Sequence, residues 1–399
     1  MGPLVSLFAA LLLGASCVAG AAGLEVTAPR AVILDADTGK VLFEKNADSP
    51  SFPASTTKIM TALLLIERTQ PDDVLTAPAD VEEVGESSMH LRPGERIKAR
   101  DLLVALMLRS ANDGAHTVAV NLAGSDAAFA DMMNARARTL GCTLTHFTNP
   151  HGLNDPKHLV TARAMSLIAR EAMRHAEFRR VVATVREEIQ RSDNLEDRLM
   201  VNRNKWLRKD ATADGIKTGY TVPAGHCYVG SASRNGFRVI TVVLRSADWQ
   251  ADHQAMLAWA FENFRHTQVA SAQKPLGEVA VAGGVAASVA VVPFEPAFTM
   301  VTRGADQAAK VALSIDEPVA SPVRAGQRLG TASIIDSEGY TQVVTVVALE
   351  GVANAPFVQR VVGGFSRNAA WLVLAGFGGY AFARMRRPRR RVHAKLKAR

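Results

Sequence analysis

The hydrophobic and polar positions divide the chain into a long region where strands and helices alternate and a shorter region of strands alone. Strand-like runs at 31–35 and 40–44 flank a turn at Asp37, Thr38 and Gly39 and predict a β-hairpin. Apolar segments predict helices at 55–67, 101–108, 115–122, 127–140, 161–175 and 249–264. Strands are predicted at 215–222, 226–232 and 237–244, after a polar stretch that reaches about residue 204. We therefore predict an α/β (α+β) unit over residues 25–268.

The pattern changes after about Val269. From 269 to 362 the sequence contains many valines and alanines with spaced glycines and prolines, and it shows no helical periodicity. Short strands such as 278–282 and 343–349 predict a small all-β domain over residues 269–362. A chain of 399 residues has room for both units.

The two ends of the chain carry the features of targeting segments. Residues 1–21 contain an apolar run at 4–13 and end in Ala19-Gly20-Ala21, which is typical of a cleaved signal peptide. No lysine or arginine precedes the run, so an uncleaved anchor is the alternative. Near the other end, 369–383 is uncharged and Trp371 and Tyr380 lie close to its ends. We predict a membrane helix at 368–384 and a basic cytoplasmic tail at 385–399.

The charge and the cysteines exclude several classes of protein. The net charge is +8, yet nine lysines and arginines lie between Arg384 and Arg399, so the body is close to neutral and no nucleic-acid-binding surface is expected. Export would leave Cys142 and Cys227, which sit in apolar stretches typical of small buried thiols and do not form a disulfide scaffold. Because the histidines and cysteines show no metal-ligand spacing, we expect no metal or other cofactor.

Ser55 and Lys58 lie three residues apart where a buried helix is predicted to begin. Positions i and i+3 share a helix face, so both side chains would point into the same space. A serine hydroxyl becomes an effective nucleophile only when a base takes its proton, and a lysine made neutral by burial can do this. The alternative is a helix cap followed by a solvated lysine, because this spacing also arises by chance, as at Ser271 and Lys274.

Two further short motifs favour a catalytic pair at Ser55 and Lys58 over a helix cap followed by a solvated lysine. Ser110-x-Asn112 follows a buried helix, and Lys217-Thr218-Gly219 lies on a predicted strand, where a cation, a hydroxyl and an open backbone suit a substrate carboxylate. The three motifs occur in the order found in serine enzymes that recognise penicillin. The sequence 192–194 spells the middle motif more literally, but it lies in a charged stretch with no buried helix before it. We therefore choose Ser110 and Asn112.

From about residue 26 to 362 the chain resembles the low-molecular-mass penicillin-binding proteins, the serine-type D-alanyl-D-alanine carboxypeptidases of peptidase family S11. The resemblance rests on the segments 53–58, 88–95, 149–153, 214–221 and 322–327. It implies a β-lactamase-like transpeptidase domain, with an antiparallel five-stranded sheet flanked by helices. Family members more often carry an amphipathic helix on the membrane surface, and the uniformly apolar segment 369–383 departs from that pattern.

The resemblance also implies a role for each motif residue. Ser55 would form an acyl-ester, Lys58 would be the general base, Ser110 would relay a proton to the leaving amine and Asn112 would hold the substrate amide. The substrate carboxylate would bind Lys217 and Thr218, helped by Arg203, with Gly219 allowing close approach. The alternatives are an ordinary turn at 217–219 and a surface arginine at 203. The backbone N–H groups of Ser55 and Tyr220 would form the oxyanion hole. His151 is interpreted as a residue that stabilises its loop.

The predicted function is removal of the terminal D-alanine from peptidoglycan stem pentapeptides in the bacterial envelope, with covalent inhibition by β-lactams. The catalytic body would lie outside the inner membrane, and its partners would be stem peptides, β-lactams and the membrane. The alternatives are a β-lactamase, a DD-endopeptidase and a catalytically silent scaffold. No Glu-x-x-x-Asn motif lies between Asn112 and Lys217, so rapid deacylation of the class A type is not expected.

Overall fold

The computed structural model describes residues 23–271, 274–303, 309–316 and 318–356. The predicted signal peptide, membrane segment and basic tail lie outside these residues. Within these ranges, every helix is too short or too polar to cross a membrane. The chain forms two compact units: one runs to Thr267 and takes in a segment that begins at Phe298, and the other comprises Gln268–Ala297 and the described residues from 309 onward.

The described helices all lie in the first unit, and most of them match the predicted segments. They are α1 Lys58–Arg68, α2 Ala99–Val104, α3 Asn112–Ala123, α4 Asp126–Thr139, α5 Ala162–Ala172, α6 Ala176–Ala183 and α7 Trp249–Asn263. The helix predicted at 161–175 is shorter, and α6 was missed. The reason is that α6 buries only Phe178, Val181 and Val182, which is too short a pattern to distinguish its eight residues from a polar connection.

The strands of both units are β1 Arg30–Asp35, β2 Val41–Lys45, β3 Val74–Thr76, β4 Arg96–Lys98, β5 Arg186–Glu188, β6 Leu199–Val201, β7 Ala213–Thr221, β8 Gly225–Arg234, β9 Phe237–Ser246, β10 Phe264–Ala270, β11 Gly277–Ala280, β12 Ser288–Pro293, β13 Ala297–Thr302, β14 Lys310–Ile315, β15 Arg328–Ile335 and β16 Thr341–Ala348. The predicted hairpin is confirmed as β1 and β2. The two short ladders β3–β4 and β5–β6 were not predicted, since three residues are too few to show alternation.

The first unit is built on an antiparallel sheet of five strands in the order β2-β1-β9-β8-β7, as the resemblance implied. Alternate residues of β1 face opposite sides. Val32 and Leu34 pack into the core that contains α1, whereas Ala31 and Ile33 pack into the core that contains α7. Helices therefore cover both faces of the sheet, which is why the four central residues of β1, 31–34, are all apolar.

The second unit contains an antiparallel sheet of five strands in the order β11-β12-β16-β15-β14. Its core is formed mainly by valines, such as Val289 and Val291 of β12, which alternate with the partly buried Ser288 and Ala290. The described residues of this unit contain strands and no helix, which agrees with the all-β character predicted from the sequence.

α1 is the central helix of the first unit, and Ser55 lies just before it. Every residue from Lys58 to Leu65 is buried, as expected for a helix that is apolar on all sides. The chain enters α1 through a 3₁₀ turn, Ala54–Thr57, and no side chain caps either element. Ser55 was interpreted as a possible start signal of the helix, but its hydroxyl does not serve as a cap.

A second sharp change of direction precedes α3. α2 continues into a π-helical turn, Ala105–Arg109, and the chain then reverses at Ser110, whose φ is +68°. A non-glycine residue in this left-handed region is uncommon and costs conformational energy. The reversal places Ser110 and Asn112 at the junction between the two helices, where the sequence predicted an inter-helix loop.

The loop from Asn149 to Leu153 packs against the Ser55 turn. The Asn149 side chain accepts a hydrogen bond from the Gly152 N–H (2.7 Å) and donates one to the Leu153 carbonyl (3.0 Å). Gly152 has a φ of +87°, and a Cβ atom there would lie 2.0 Å from the carbonyl oxygen of Ala54. Only glycine fits at this position without displacing the turn that carries Ser55.

Gly152→Ala should therefore destabilise the protein more than an alanine at a glycine with the same backbone conformation. Gly124 is the matched control, because its φ is +84° and a Cβ there would meet no atom within 4 Å. Gly124→Ala should lower the free energy of unfolding by about 1 kcal/mol through backbone strain alone. Gly152→Ala should cost at least about 2–3 kcal/mol, because the clash adds to the strain. Urea unfolding followed by tryptophan fluorescence measures both, and equal losses would show that the contact with Ala54 is unimportant.

Candidate active site

A cavity of about 360 Å³ in the first unit brings the three motifs together. Ser55 comes from the 3₁₀ turn before α1, Ser110 from the junction before α3, and Thr218, Gly219 and Tyr220 from the edge strand β7. The remaining residues that line it are Glu86, Ser87, Arg203, Lys205, His226, Cys227, Trp249 and Gln250. Segments separated by more than a hundred residues thus surround one space.

Lys58 lies behind this cavity and is completely buried. Its Nζ donates to the Asn112 side-chain oxygen (2.6 Å) and to the His151 carbonyl oxygen (2.7 Å), and it lies 3.4 Å from the Ser55 Oγ. A neutral amine has two N–H groups and one lone pair. When the two acceptors take the two N–H groups, the lone pair is left for the Ser55 hydroxyl, which is the geometry that a general base requires.

Burial and nearby cations both favour the neutral form of this amine. Burial lowers the pKa of Lys58 well below its usual value, and the positive charges of Lys217 and Arg203 lower it further. The two hydrogen-bond acceptors are an amide and a peptide carbonyl, so neither supplies a negative charge that would hold the ammonium form. The environment therefore prepares Lys58 to accept a proton.

β7 runs directly against the turn that carries Ser55. A Cβ atom on Gly219 would lie 3.0 Å from three backbone atoms of that turn, namely the Pro53 oxygen and the nitrogens of Ser55 and Thr56. The absence of a side chain at Gly219 lets the two backbones approach closely. Consequently the backbone around Tyr220 and the backbone N–H of Ser55 border the same part of the cavity.

Ser110 presents a hydroxyl that has no partner within the described residues. Ser110 is 2% exposed, follows the π-helical turn directly and lines the cavity. A buried hydroxyl without a hydrogen bond costs free energy. A ligand in the cavity could supply the missing partner, which makes Ser110 a candidate proton donor.

Asn112 binds both Lys58 and a neighbouring loop. Its side-chain oxygen accepts from Lys58, and its side-chain nitrogen donates to the Gly85 carbonyl oxygen (2.8 Å). Asn112 is not one of the residues that line the cavity. A side-chain amide has two N–H groups and the bond to Gly85 uses one of them, so the contact with a substrate amide that the resemblance implied stays a prediction.

The loop from Gly85 to Glu95 is fixed by two buried carboxylates. Asp113, at the start of α3, accepts from the Ser88 hydroxyl (2.6 Å) and from the N–H groups of Met89 and Leu91. Glu95 forms a fully buried ion pair with Arg191 (2.7 Å). These bonds hold Glu86 and Ser87 at the edge of the cavity.

The competing motif at 192–194 is used for a different purpose. The Ser192 hydroxyl accepts from the Arg96 N–H (2.8 Å), Asp193 pairs with Arg92 (3.1 Å), and Asn194 donates to the His90 carbonyl (3.1 Å). None of these residues lines the cavity. Ser192-Asp193-Asn194 therefore fastens the loop at 85–95 from outside.

Two cations lie close to the cavity wall formed by β7. Lys217 is 1% exposed, its Nζ donates to the Thr218 carbonyl (3.0 Å), and burial followed by the charge of Arg203 lowers its pKa to about 7. Arg203 lines the cavity and donates to the Ser87 hydroxyl (2.6 Å). With the Thr218 hydroxyl, these groups offer a binding site for an anion.

Sequence reasoning missed the part played by backbone carbonyls. The His151 ring was interpreted as a loop stabiliser, and it does accept the Leu153 N–H (3.2 Å), but it is the His151 carbonyl that binds Lys58. The Gly85 carbonyl likewise binds Asn112. Every residue has a carbonyl oxygen, so nothing in the sequence shows that those of His151 and Gly85 accept these bonds. The only signal was that both residues lie in turn-rich, glycine-containing loops.

One group of side chains in the described residues has the composition of a metal site, and it lies away from the cavity lining. Atoms of Asp35, Asp37 and His266 all lie within 4.8 Å of one another. The Asp35 carboxylate already accepts from the Thr38 hydroxyl and from backbone N–H groups, and the two nitrogens of His266 each lie 3.7 Å from one carboxylate. His266 Nε2 has no hydrogen-bond partner among the described residues, but the Asp35 carboxylate is already engaged by its own turn, so we assign no metal to this group.

Comparison with known proteins gives consistent matches along the chain. Residues 17–248 match the family model described as D-alanyl-D-alanine carboxypeptidase, and residues 264–354 match that of the C-terminal domain of penicillin-binding protein 5. The chain is 28% identical to the D-alanyl-D-alanine carboxypeptidase DacF of Bacillus subtilis, over 85% of this chain and 90% of that protein. It is also 28% identical to DacC of Escherichia coli, over 83% and 85% of the two chains.

The structure is also similar to a solved one. Penicillin-binding protein 5 from Haemophilus influenzae superposes with a TM-score of 0.66 at 26% identity, and the match covers 84% of this chain and 100% of that one. The similarity extends through both units and is not restricted to the motifs.

Proposed function

Because the chain belongs to the D-alanyl-D-alanine carboxypeptidase family of serine peptidases, we propose that it removes the terminal D-alanine from peptidoglycan stem pentapeptides. The observation that supports this most directly is the buried amine of Lys58, which has neutral acceptors for two N–H groups and lies 3.4 Å from the Ser55 hydroxyl. Such an amine can take the proton of Ser55 and thereby make it a nucleophile.

In the first step the Ser55 oxygen attacks the carbonyl carbon between the two D-alanines as its proton passes to Lys58. The negative charge that develops on the carbonyl oxygen would be met by the backbone N–H groups of Ser55 and Tyr220. Each donor of an oxyanion hole typically contributes ~3–4 kcal/mol to the stabilisation of the transition state. The close approach of Gly219 to the Ser55 turn supports this placement.

Collapse of the tetrahedral intermediate breaks the peptide bond, and the departing amine of D-alanine must receive a proton. Ser110 would relay it from the protonated Lys58, because its unpartnered hydroxyl faces the cavity. The acyl-ester on Ser55 is then hydrolysed by water, which releases the shortened peptide and restores the hydroxyl. All groups return to their starting protonation states.

The terminal carboxylate of the substrate would bind Lys217, Thr218 and Arg203. This assignment is supported by Arg203 and Thr218, which line the cavity, and by Lys217, which precedes Thr218 on β7 but is not itself a lining residue. A β-lactam carries a carboxylate next to a strained amide, so it would occupy the same groups and acylate Ser55.

The alternative activities follow from the same site. A β-lactamase needs a base that activates water for deacylation, and a DD-endopeptidase needs room for a second peptide strand. Glu86 is a carboxylate on the cavity wall, but it lies beside Ser87 on the loop before β4 and not in a Glu-x-x-x-Asn motif. We therefore favour slow deacylation and a persistent acyl-enzyme with penicillin, and we regard a catalytically silent scaffold as the least suited to this geometry.

The central prediction concerns Ser55. Wild-type protein should release D-alanine from a pentapeptide and form an adduct with fluorescent penicillin that survives denaturing electrophoresis. Ser55→Ala should reduce both by at least about a thousandfold, because the nucleophile is lost. Ser192→Ala, in the competing motif, is the control and should retain both. An adduct on Ser55→Ala, or none on wild type, would contradict the assignment.

Lys217→Arg tests the carboxylate site through the pH dependence of kcat/KM. Burial lowers the pKa of Lys217 to about 7, so its positive charge is present below pH 7 and lost above it. If that charge binds the substrate carboxylate, kcat/KM of wild type should fall on the alkaline side of about pH 7. Arginine stays protonated, so the fall should move to higher pH in Lys217→Arg. Lys98→Arg, at an exposed ion pair with Asp72, should leave the profile unchanged.

We also propose that the catalytic body lies on the outer side of the cytoplasmic membrane. The support comes from the sequence of the ends: a signal peptide at 1–21, an apolar segment at 368–384 and a basic tail at 385–399. At 1.5 Å per residue the fifteen uncharged residues extend only about 23 Å, so Arg367 and Arg384 would have to extend toward the membrane surfaces.

This topology is tested with a tag placed after Arg399. In intact spheroplasts a single span would protect the tag from added protease, while the body is digested. An amphipathic helix on the outer surface would leave the tag exposed, and its removal from intact spheroplasts would exclude the span. Lysed spheroplasts provide the control for access of the protease.

A further inference from the structure

A series of titratable side chains, Asp80, His116, Asp126 and His151, leads from the surface of the first unit to His151, whose carbonyl binds Lys58. His116, on α3, places its Nδ1 2.7 Å from Asp126 Oδ1 and its Nε2 3.1 Å from Asp80 Oδ1. The second oxygen of Asp126, at the start of α4, lies 3.6 Å from His151 Nε2. These residues are not part of the three motifs, and none of them lines the cavity.

The orientation of the His151 ring follows from its two neighbours. Its Nδ1 accepts a hydrogen bond from the Leu153 N–H (3.2 Å), so Nδ1 carries no proton. In the neutral ring the proton must therefore be on Nε2, which is the nitrogen that faces Asp126. The Leu153 N–H thus selects the tautomer whose Nε2–H faces Asp126, and the carbonyl oxygen of His151 accepts from Lys58 at 2.7 Å.

We propose that Asp126 and His116 are positioning residues for Lys58, which act by fixing His151 so that its carbonyl occupies one N–H of the catalytic amine. This inference rests on the proposed role of Lys58 as the general base. Asn112 and His116 are four residues apart on α3 and so share a face of the helix. The same helix therefore supplies one acceptor of Lys58 directly and supports the other through Asp126.

The charges of His116, Asp126 and His151 suit this positioning role. The hydrogen bond that His116 donates to Asp126 raises the pKa of His116 to about 9, against the effect of burial, so His116 is positive at neutral pH. Burial opposes ionisation of Asp126, but the hydrogen bond from His116 and the nearby His151 ring lower its pKa to about 2. Burial lowers the pKa of His151, which keeps that ring neutral.

The pair formed by His116 and Asp126 is thus neutral overall. It can hold His151 without placing a net negative charge beside Lys58, where such a charge would favour the ammonium form. Asp80 is largely exposed and contacts only the outer nitrogen of His116, so it contributes less to this arrangement.

Asp126→Asn tests the proposal in the full-length protein. Acylation by fluorescent penicillin, followed by stopped flow, gives the acylation rate constant and the dissociation constant of the initial complex separately. A misplaced base should lower the rate constant by about ten- to a hundredfold and change the dissociation constant by less than about twofold. Asp126→Glu, which keeps the carboxylate, should restore a large part of the rate. Asp131→Asn, the same exchange at an exposed position of α4, should match wild type.

A double-mutant cycle distinguishes this route from a general loss of stability. If Asp126 acts through the His151 ring, then Asp126→Asn should have little further effect on the acylation rate in a His151→Gln background. Independent, additive losses in the double mutant would overturn the proposal, as would an unchanged rate constant in a folded Asp126→Asn protein.

His116→Gln gives a second route if Asp126→Asn does not fold. It leaves the carboxylate in place but removes its cationic partner, so the rate constant should again fall with little change in the dissociation constant. If Asp126→Asn fails to fold, an unchanged rate constant in folded His116→Gln would overturn the proposal. Failure of wild type itself to acylate would instead contradict the proposed function, so the two outcomes are distinguishable.

Discussion

The hydrogen bonds of one buried amine are the constraint on which the rest of the catalytic unit depends. Lys58 Nζ has two acceptors, an amide oxygen and a peptide carbonyl oxygen, and both are uncharged. A carboxylate in either position would stabilise the ammonium form and remove the lone pair. Buried neutral acceptors instead favour the neutral amine, because they fix its direction without requiring a charged group to be desolvated.

The scaffold fixes this amine from several elements at once. α1 is buried on all sides, so Lys58 cannot turn toward solvent. The Ser55 turn is confined between the loop at Gly152 and the edge strand at Gly219, and at both glycines an added Cβ would contact the backbone of that turn. Ser55 and Lys58 are therefore held by backbone packing, which is stiffer than contacts between long side chains.

In the proposed reaction, Lys217 and Arg203 influence both Lys58 and the substrate. Lys217 and Arg203 lower the pKa of Lys58 in the free protein, and they are also the cations proposed to bind the substrate carboxylate. A bound carboxylate would offset their charge and so raise the proton affinity of Lys58 when the substrate is present. Binding of the correct anion would in this way improve the base at the moment when it is needed.

The sequence alone determined the elements and the chemistry that they carry. Periodicity indicated the hairpin, the buried helices and the strands β7 to β9, because these are long enough for burial to leave a repeating pattern. The spacing of Ser55 and Lys58 followed from the geometry of one helical turn, and the order of the three motifs indicated the family. α6, β3 to β6 and the exact start of α1 were not predicted, since short elements leave too few repeats.

Only the tertiary structure decided which groups hold the base. Every residue has a carbonyl oxygen, so the sequence gives no sign that those of His151 and Gly85 would accept the bonds at Lys58 and Asn112. It likewise gives no sign that His116, Asp126 and His151 would meet. Periodicity reports which face of an element is buried. It does not report which distant segment covers that face. Long-range polar contacts depend on which segments pack together, so periodicity does not predict them.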